Sequence, residues 1–178
     1  MEAFIFEEGL KLKKFLNLVD TISERTCWIF RWNIVVICII ILIEVILRTV
    51  FNSPTTWSFE VTIQLYGFYF MIVSAYTLLH DGHVSVDVLT TSLSKRAKAI
   101  LSVIGYVLLF FPFMLVILYQ GILYAANSWA MYEKSWSAFA PPLYPIKSVI
   151  PIAVFLLLIQ GAAIFIRRLH TVIKGDEL

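Results

Sequence analysis

The sequence predicts an all-α integral membrane protein with four transmembrane helices and an N-terminal amphipathic helix at the membrane interface. Three observations lead there. Long apolar runs at 28–50, 59–79, 99–126 and 148–166 fill most of the 178 residues. About 20 apolar residues at 1.5 Å rise match the ~30 Å hydrocarbon layer of a bilayer. In lipid the backbone must satisfy its own polar groups, so such runs are helices. The composition agrees: 60% of residues are hydrophobic and mean hydropathy is +0.86. Third, the basic residues are asymmetric. Lys11, Lys13, Lys14, Arg25 and Arg31 precede or begin the first span; Lys95, Arg96 and Lys98 lie between spans two and three; Arg167, Arg168 and Lys174 follow span four. Only Arg48, Lys134 and Lys147 fall on the other side. The positive-inside rule puts both termini and the middle loop in the cytoplasm. Basic residues placed by topology give no support to nucleic-acid binding.

The whole chain, 1–178, reads as one four-span membrane domain, with no room for a separate soluble unit. No cleaved signal is expected: Met1-Glu2-Ala3-Phe4 lacks a positive n-region, and the apolar run from Trp28 is too long for a signal core. The last four residues, Gly-Asp-Glu-Leu, do not match an ER-retention tail. Segment 10–24 carries Leu12, Phe15, Leu16, Val19 and Ile22 at helical spacing, with Lys11, Lys13, Lys14, Asn17 and Asp20 elsewhere around the wheel. That pattern fits a helix lying in the cytoplasmic interface. Trp28 and Trp32 then mark where span one enters. Ser53-Pro54 signals a tight turn to span two. In the middle loop, 80–98, a short surface helix (Val84, Val88, Leu89, Leu93) and an alternating pattern (Val84, Val86, Val88) both fit. Span three is longer than a bilayer needs, with Pro112 as its expected kink site. The loop 127–147 carries Trp129, Tyr132, Trp136, Phe139 and Tyr144 among Pro141, Pro142 and Pro145. It reads equally as a binding platform or as an interfacial aromatic belt. Cys27 and Cys38 are about 16 Å apart along one helix, too far for an intrachain disulfide.

Polar residues inside the apolar runs are the first place to seek chemistry. Glu44 and Arg48 share a helix face at i, i+4. Glu60 starts span two across the hairpin, so Glu44, Arg48 and Glu60 form a candidate charge cluster. An ion relay and a structural lock are the two readings. The lock is preferred, because one cluster near one surface makes no path across a membrane. His80, Asp81, His83 and Asp87 are the densest set of metal-ligand types, but zinc needs three or four converging ligands. Haem needs facing axial histidines within the bundle, and His80, His83 and His170 all lie near helix ends. Gln64, Ser74, Ser102, Gln120 and Gln160 are too scattered to line a pore. No phosphate loop or nucleophile elbow occurs, so the chain is not expected to be an enzyme.

Several segments in this order resemble a known family. They are Arg48 closing span one; Trp57-Ser58-Phe59-Glu60 opening span two; Gly82-His83-Val84-Ser85-Val86-Asp87 after it; and Pro141-Pro142-Leu143-Tyr144-Pro145 with Lys147 and Pro151 at span four. Together they resemble the small membrane subunit, the Q-type or small permease component, of tripartite ATP-independent periplasmic (TRAP) transporters. Phe59 stands where that family often has a second acidic residue. The resemblance implies a non-catalytic subunit of a secondary active transporter in the bacterial inner membrane. Its partners would be a large multi-span subunit, on which substrate and sodium sites lie, and a periplasmic substrate-binding protein. The cargo would be a small organic anion, and this chain would hold no cofactor. Trp57, Gly82, His83, Asp87 and Pro142 are then family-motif residues. Trp129, Glu133, Lys134 and Trp136 are candidates for docking the binding protein. The competing expectation is a small electron-transfer or metal-binding subunit built on His80 and His83.

Overall fold

The computed structural model describes residues 2–80 and 95–174. The helices are α1 (Glu2–Phe30), α2 (Asn33–Thr49), α3 (Ser58–Leu79), α4 (Lys95–Gly105), α5 (Phe111–Ala130) and α6 (Tyr144–Lys174), with a π-helical turn, Tyr106–Phe110, joining α4 to α5. Four segments are long and apolar enough to cross a membrane: Lys13–Thr49, Ser58–Leu79, Ala97–Ala130 and Tyr144–Ile173. No strand occurs among the described residues.

The segment read as 10–24 is part of a longer helix, α1, which runs to Phe30 before the chain breaks at Arg31–Trp32. The run read as 28–50 is interrupted at Arg31–Trp32, so its first residues close α1 and the rest is α2. The fourth helix extends well beyond 148–166 at both ends, and the third helix reaches beyond 99–126. Polar ends continue as helix because apolarity marks lipid contact, whereas backbone hydrogen bonding sets helix length. Pro112 cannot donate a backbone hydrogen bond, and the π-helical turn lies immediately before it. Such single π turns occur as bulges inside longer α-helices.

The helices do not close into a bundle. They stand in a row, α2–α3–α6–α5, with α6 in the middle against both α3 and the α4–α5 rod. α2 packs on α3 and makes no comparable contact with α5 or α6. α1 lies across one face of this slab, touching both α3 and α6. Two small residues allow close approach, as is usual between helices in lipid. A Cβ on Gly121 would meet Ile150 Cγ2 at 3.2 Å, and one on Gly161 would meet Phe110 Cε1 at 2.3 Å. Phe110 belongs to a ring cluster with Tyr106 and Phe111, and Phe165 joins it from α6. The slab has a loop end, where α2 turns into α3 and α5 into α6, and a tail end, where α1 begins and α6 finishes.

Candidate functional site

At the loop end, the α5–α6 connection is a folded structure. α5 closes with a left-handed Tyr132 (φ 46°), whose N–H donates to the Trp129 carbonyl while that of Glu133 donates to Ser128. This is the Schellman arrangement. Beyond it, Leu143 N–H donates to the Glu133 carbonyl and Ser135 N–H to the Pro141 carbonyl, drawing the loop into a narrow hairpin. Its one bridge pairs Lys134 with Pro142. Glu133 forms an ion pair with Lys147, whose ammonium lies 4.0 Å from the Tyr124 ring centroid. The hydrogen bond from Lys147 holds the Glu133 carboxyl below the usual carboxylate range. Trp129 donates its indole N–H to Ser148 Oγ at 2.7 Å and packs on the Tyr144 ring.

These contacts separate the four expected docking residues. Glu133 and Trp129 serve the loop's own fold. Lys134 and Trp136 point outward, and Trp136 is 102% exposed. Pro142 forms part of the bridge, and Trp57 leads into α3.

The expected three-residue charge cluster is built differently. Arg48 pairs with Glu44 at 3.0 Å. Glu44 also accepts hydrogen bonds from the Thr55 hydroxyl and amide, so it fastens the α2–α3 turn. Glu60 takes its hydrogen bond from Ser135 Oγ at 3.0 Å, tying α3 to the α5–α6 loop. Arg48 and Glu60 form no ion pair, because Glu44 one turn away is the nearer carboxylate. Glu60 sits in the first turn of α3, where a negative charge suits the helix dipole.

At the tail end lies a cluster that sequence reasoning missed. Arg167 forks onto both oxygens of Asp20. Gln160, 0% exposed, donates to Asp20 at 3.0 Å and accepts from Ser23 Oγ at 2.8 Å. Leu16 and Val19 bury themselves against Ala163 beside it. Asp20 thus belongs to the slab-facing side of α1, not to its solvent side, whereas Phe15 and Ile22 face outward. The readable signal was the helical spacing of Asp20 and Ser23 with Leu16 and Val19, matched by Gln160 and Arg167 two turns apart.

His80 ends α3 with its ring against Tyr76. Gly82, His83 and Asp87, with Asp81 and both readings of segment 84–93, lie outside the described residues, as does the terminal tail. No group of three metal-ligating side chains converges among the described residues. Cys27 and Cys38 are free thiols. Between α3 and α6, nearer the loop end, an apolar groove of about 350 Å³ is lined by Val61, Gln64, Leu65, Phe68, Pro145, Ile146 and Val149.

The family model for the DctQ component of tripartite ATP-independent periplasmic transporters matches residues 37–171. No curated protein matches the chain.

Proposed function

The chain belongs to the DctQ family, the small membrane subunit of TRAP transporters, and from that premise we propose that it is the scaffold of its complex. In this reading it holds the large subunit's static part in the inner membrane and supplies part of the surface on which the substrate-binding protein lands. Substrate and sodium are bound by the large subunit, and cargo is a small organic anion carried with sodium. Both termini face the cytoplasm, so the loop end faces the periplasm.

One observation supports this reading above others: the chain is a slab whose ion pairs sit toward its two ends. Glu44, Arg48, Glu60 and Glu133 with Lys147 gather at the loop end, and Asp20 pairs with Arg167 in the tail-end half. An anion-transport site requires donors converging near mid-membrane, commonly at broken-helix N-termini. The buried polar group at mid-length of α6, Gln160, is already committed within the chain to Asp20 and Ser23. The helices' broad apolar faces suit lipid and a partner's helices instead. The outward Phe15, Leu18 and Ile22 of α1, flanked by Lys13, Lys14 and Arg25, suit an interfacial position for that helix.

The experiment is affinity purification of this chain from native membranes in mild detergent, followed by reconstitution. A large multi-span protein should co-purify in fixed ratio, and sodium-dependent anion binding should require it. Binding or transport by this chain alone would refute the scaffold assignment. For the landing surface, Lys134→Glu and Trp136→Ala should weaken uptake at low binding-protein concentration and be overcome at high concentration. Unchanged uptake across that range would remove docking from this loop.

A further inference from the structure

The valley between α3 and α6 is one continuous feature only half filled. On α3 the groove residues Val61, Leu65 and Phe68 continue, at spacings of four and three, through Ile72, Ala75 and Leu79. On α6 the same spacing runs through Val149, Ala153, Leu156, Gln160, Ala163 and Arg167. Two such stripes side by side form the seat for a third helix, as in coiled-coil packing. Toward the tail end that third helix is present: α1 lies there, with Leu16 and Val19 buried and Ser23 bonded to Gln160.

Halfway along α3 the occupant leaves. Phe30 packs edge-on against Phe68 with ring centroids 5.0 Å apart, and Asn33 Nδ2 donates to the Leu65 carbonyl. The break at Arg31–Trp32 then carries α2 away along the flank of α3. Above that point the valley is the 350 Å³ groove. Gln64 borders it, and its amide Nε2 is buried without any hydrogen-bond partner. A buried amide donor left unpaired destabilises the fold. It identifies what the groove lacks.

We propose that the loop-end half of this valley receives a membrane-spanning helix of the large transport subunit. Apolar side chains of that helix fill the groove, and rotation of the Gln64 amide offers its N–H to an acceptor on that helix. The proposal rests on the scaffold reading and specifies where the partner binds. The chemistry favours a helix over a lipid tail. Gln64 stands six residues, about 9 Å, along α3 from its outer end. At that depth an acyl chain offers only methylenes, whereas a helix can present a hydroxyl, amide or carbonyl oxygen. The helix-shaped seat is also continuous with the part α1 already fills.

The test uses the assembled complex in native membranes. Benzoyl-phenylalanine placed at position 146 should, on illumination, cross-link to the large subunit. An adduct with phospholipid only, or with a second copy of this chain, would overturn the proposal. In parallel, Val149→Trp should fill the groove and cut the retained large subunit at least tenfold, while Phe155→Trp on the opposite side of α6 should not. Gln64→Leu should lower retention by about 3–20-fold, the worth of one interhelical hydrogen bond. A disulfide between cysteines introduced at positions 19 and 163 monitors the fold of each variant. If Val149→Trp fails that control, the photo-adduct decides. Full retention by a folded Val149→Trp chain overturns the groove assignment alone. A wild-type chain that retains no large subunit overturns the scaffold reading itself.

Discussion

Replacing Gln160 with leucine isolates what fastens α1 to the slab. The glutamine is fully buried and makes two interhelical hydrogen bonds, to Asp20 and from Ser23, at 3.0 and 2.8 Å. Interhelical hydrogen bonds in membrane proteins average about 0.6 kcal/mol and reach about 1.7. Losing two therefore costs about 1–3 kcal/mol. Leucine matches the volume, so little cavity penalty is added. Asp20 keeps its fork to Arg167, so no charge is stranded. Since about 1.4 kcal/mol is tenfold in an equilibrium, detached α1 should become roughly 5–150-fold more populated. Amide hydrogen exchange in nanodiscs reads this directly. Protection in α1 from Lys13 to Thr26 should fall by that factor, while α3 and α6 keep theirs. Unchanged protection in α1 would refute the reasoning. An equal loss in all helices would refute it too, because Gln160 would then support the whole slab rather than one joint.

The other expectations are simpler to check. Gly161→Ala sets a Cβ 2.3 Å from Phe110 Cε1; it should lower stability by about 1–3 kcal/mol, and Phe110→Leu should recover part of that in thermal melts. Arg48→Ala should cost no more than about 1 kcal/mol, since Arg48 is 65% exposed and Thr55 also holds Glu44; Glu44→Ala, which frees Arg48 and Thr55 together, should lower the melting temperature further. A cysteine at position 136 in a chain with Cys27 and Cys38 replaced by serine should react with an impermeant maleimide added from the periplasm. Reaction only after the inner membrane is breached would reverse the proposed orientation.

Four helices were legible because lipid imposes a length and an apolarity that sequence displays directly. The break at Arg31–Trp32 was not. Trp28 and Trp32 look like boundary residues, and neither glycine nor proline announces a corner. The row of helices was also hidden: hydropathy states that a helix meets apolar surroundings, but lipid and protein are equally apolar. Of the candidate site, Glu44 with Arg48 followed from i, i+4 spacing. The partnership of Glu60 with Ser135 did not, since it depends on how a loop 75 residues later folds back. Asp20 was misplaced on the solvent side for a related reason. A carboxylate on an amphipathic helix faces water by default, and only Gln160 and Arg167, 140 and 147 residues away, give it a reason to turn inward.

The row α2–α3–α6–α5 has a mechanical consequence. Rods joined edge to edge behave like a slatted screen. Such a screen is stiff along its slats, because each is a hydrogen-bonded helix, and pliant about axes parallel to them, because neighbouring slats meet along a single seam. Only α1 crosses a seam, bracing α3 to α6 near the tails. The screen should therefore flex most at its free margins, α2 and α5, and least along its braced centre. A component of this kind can follow the contour of a larger neighbour while keeping its span through the bilayer fixed.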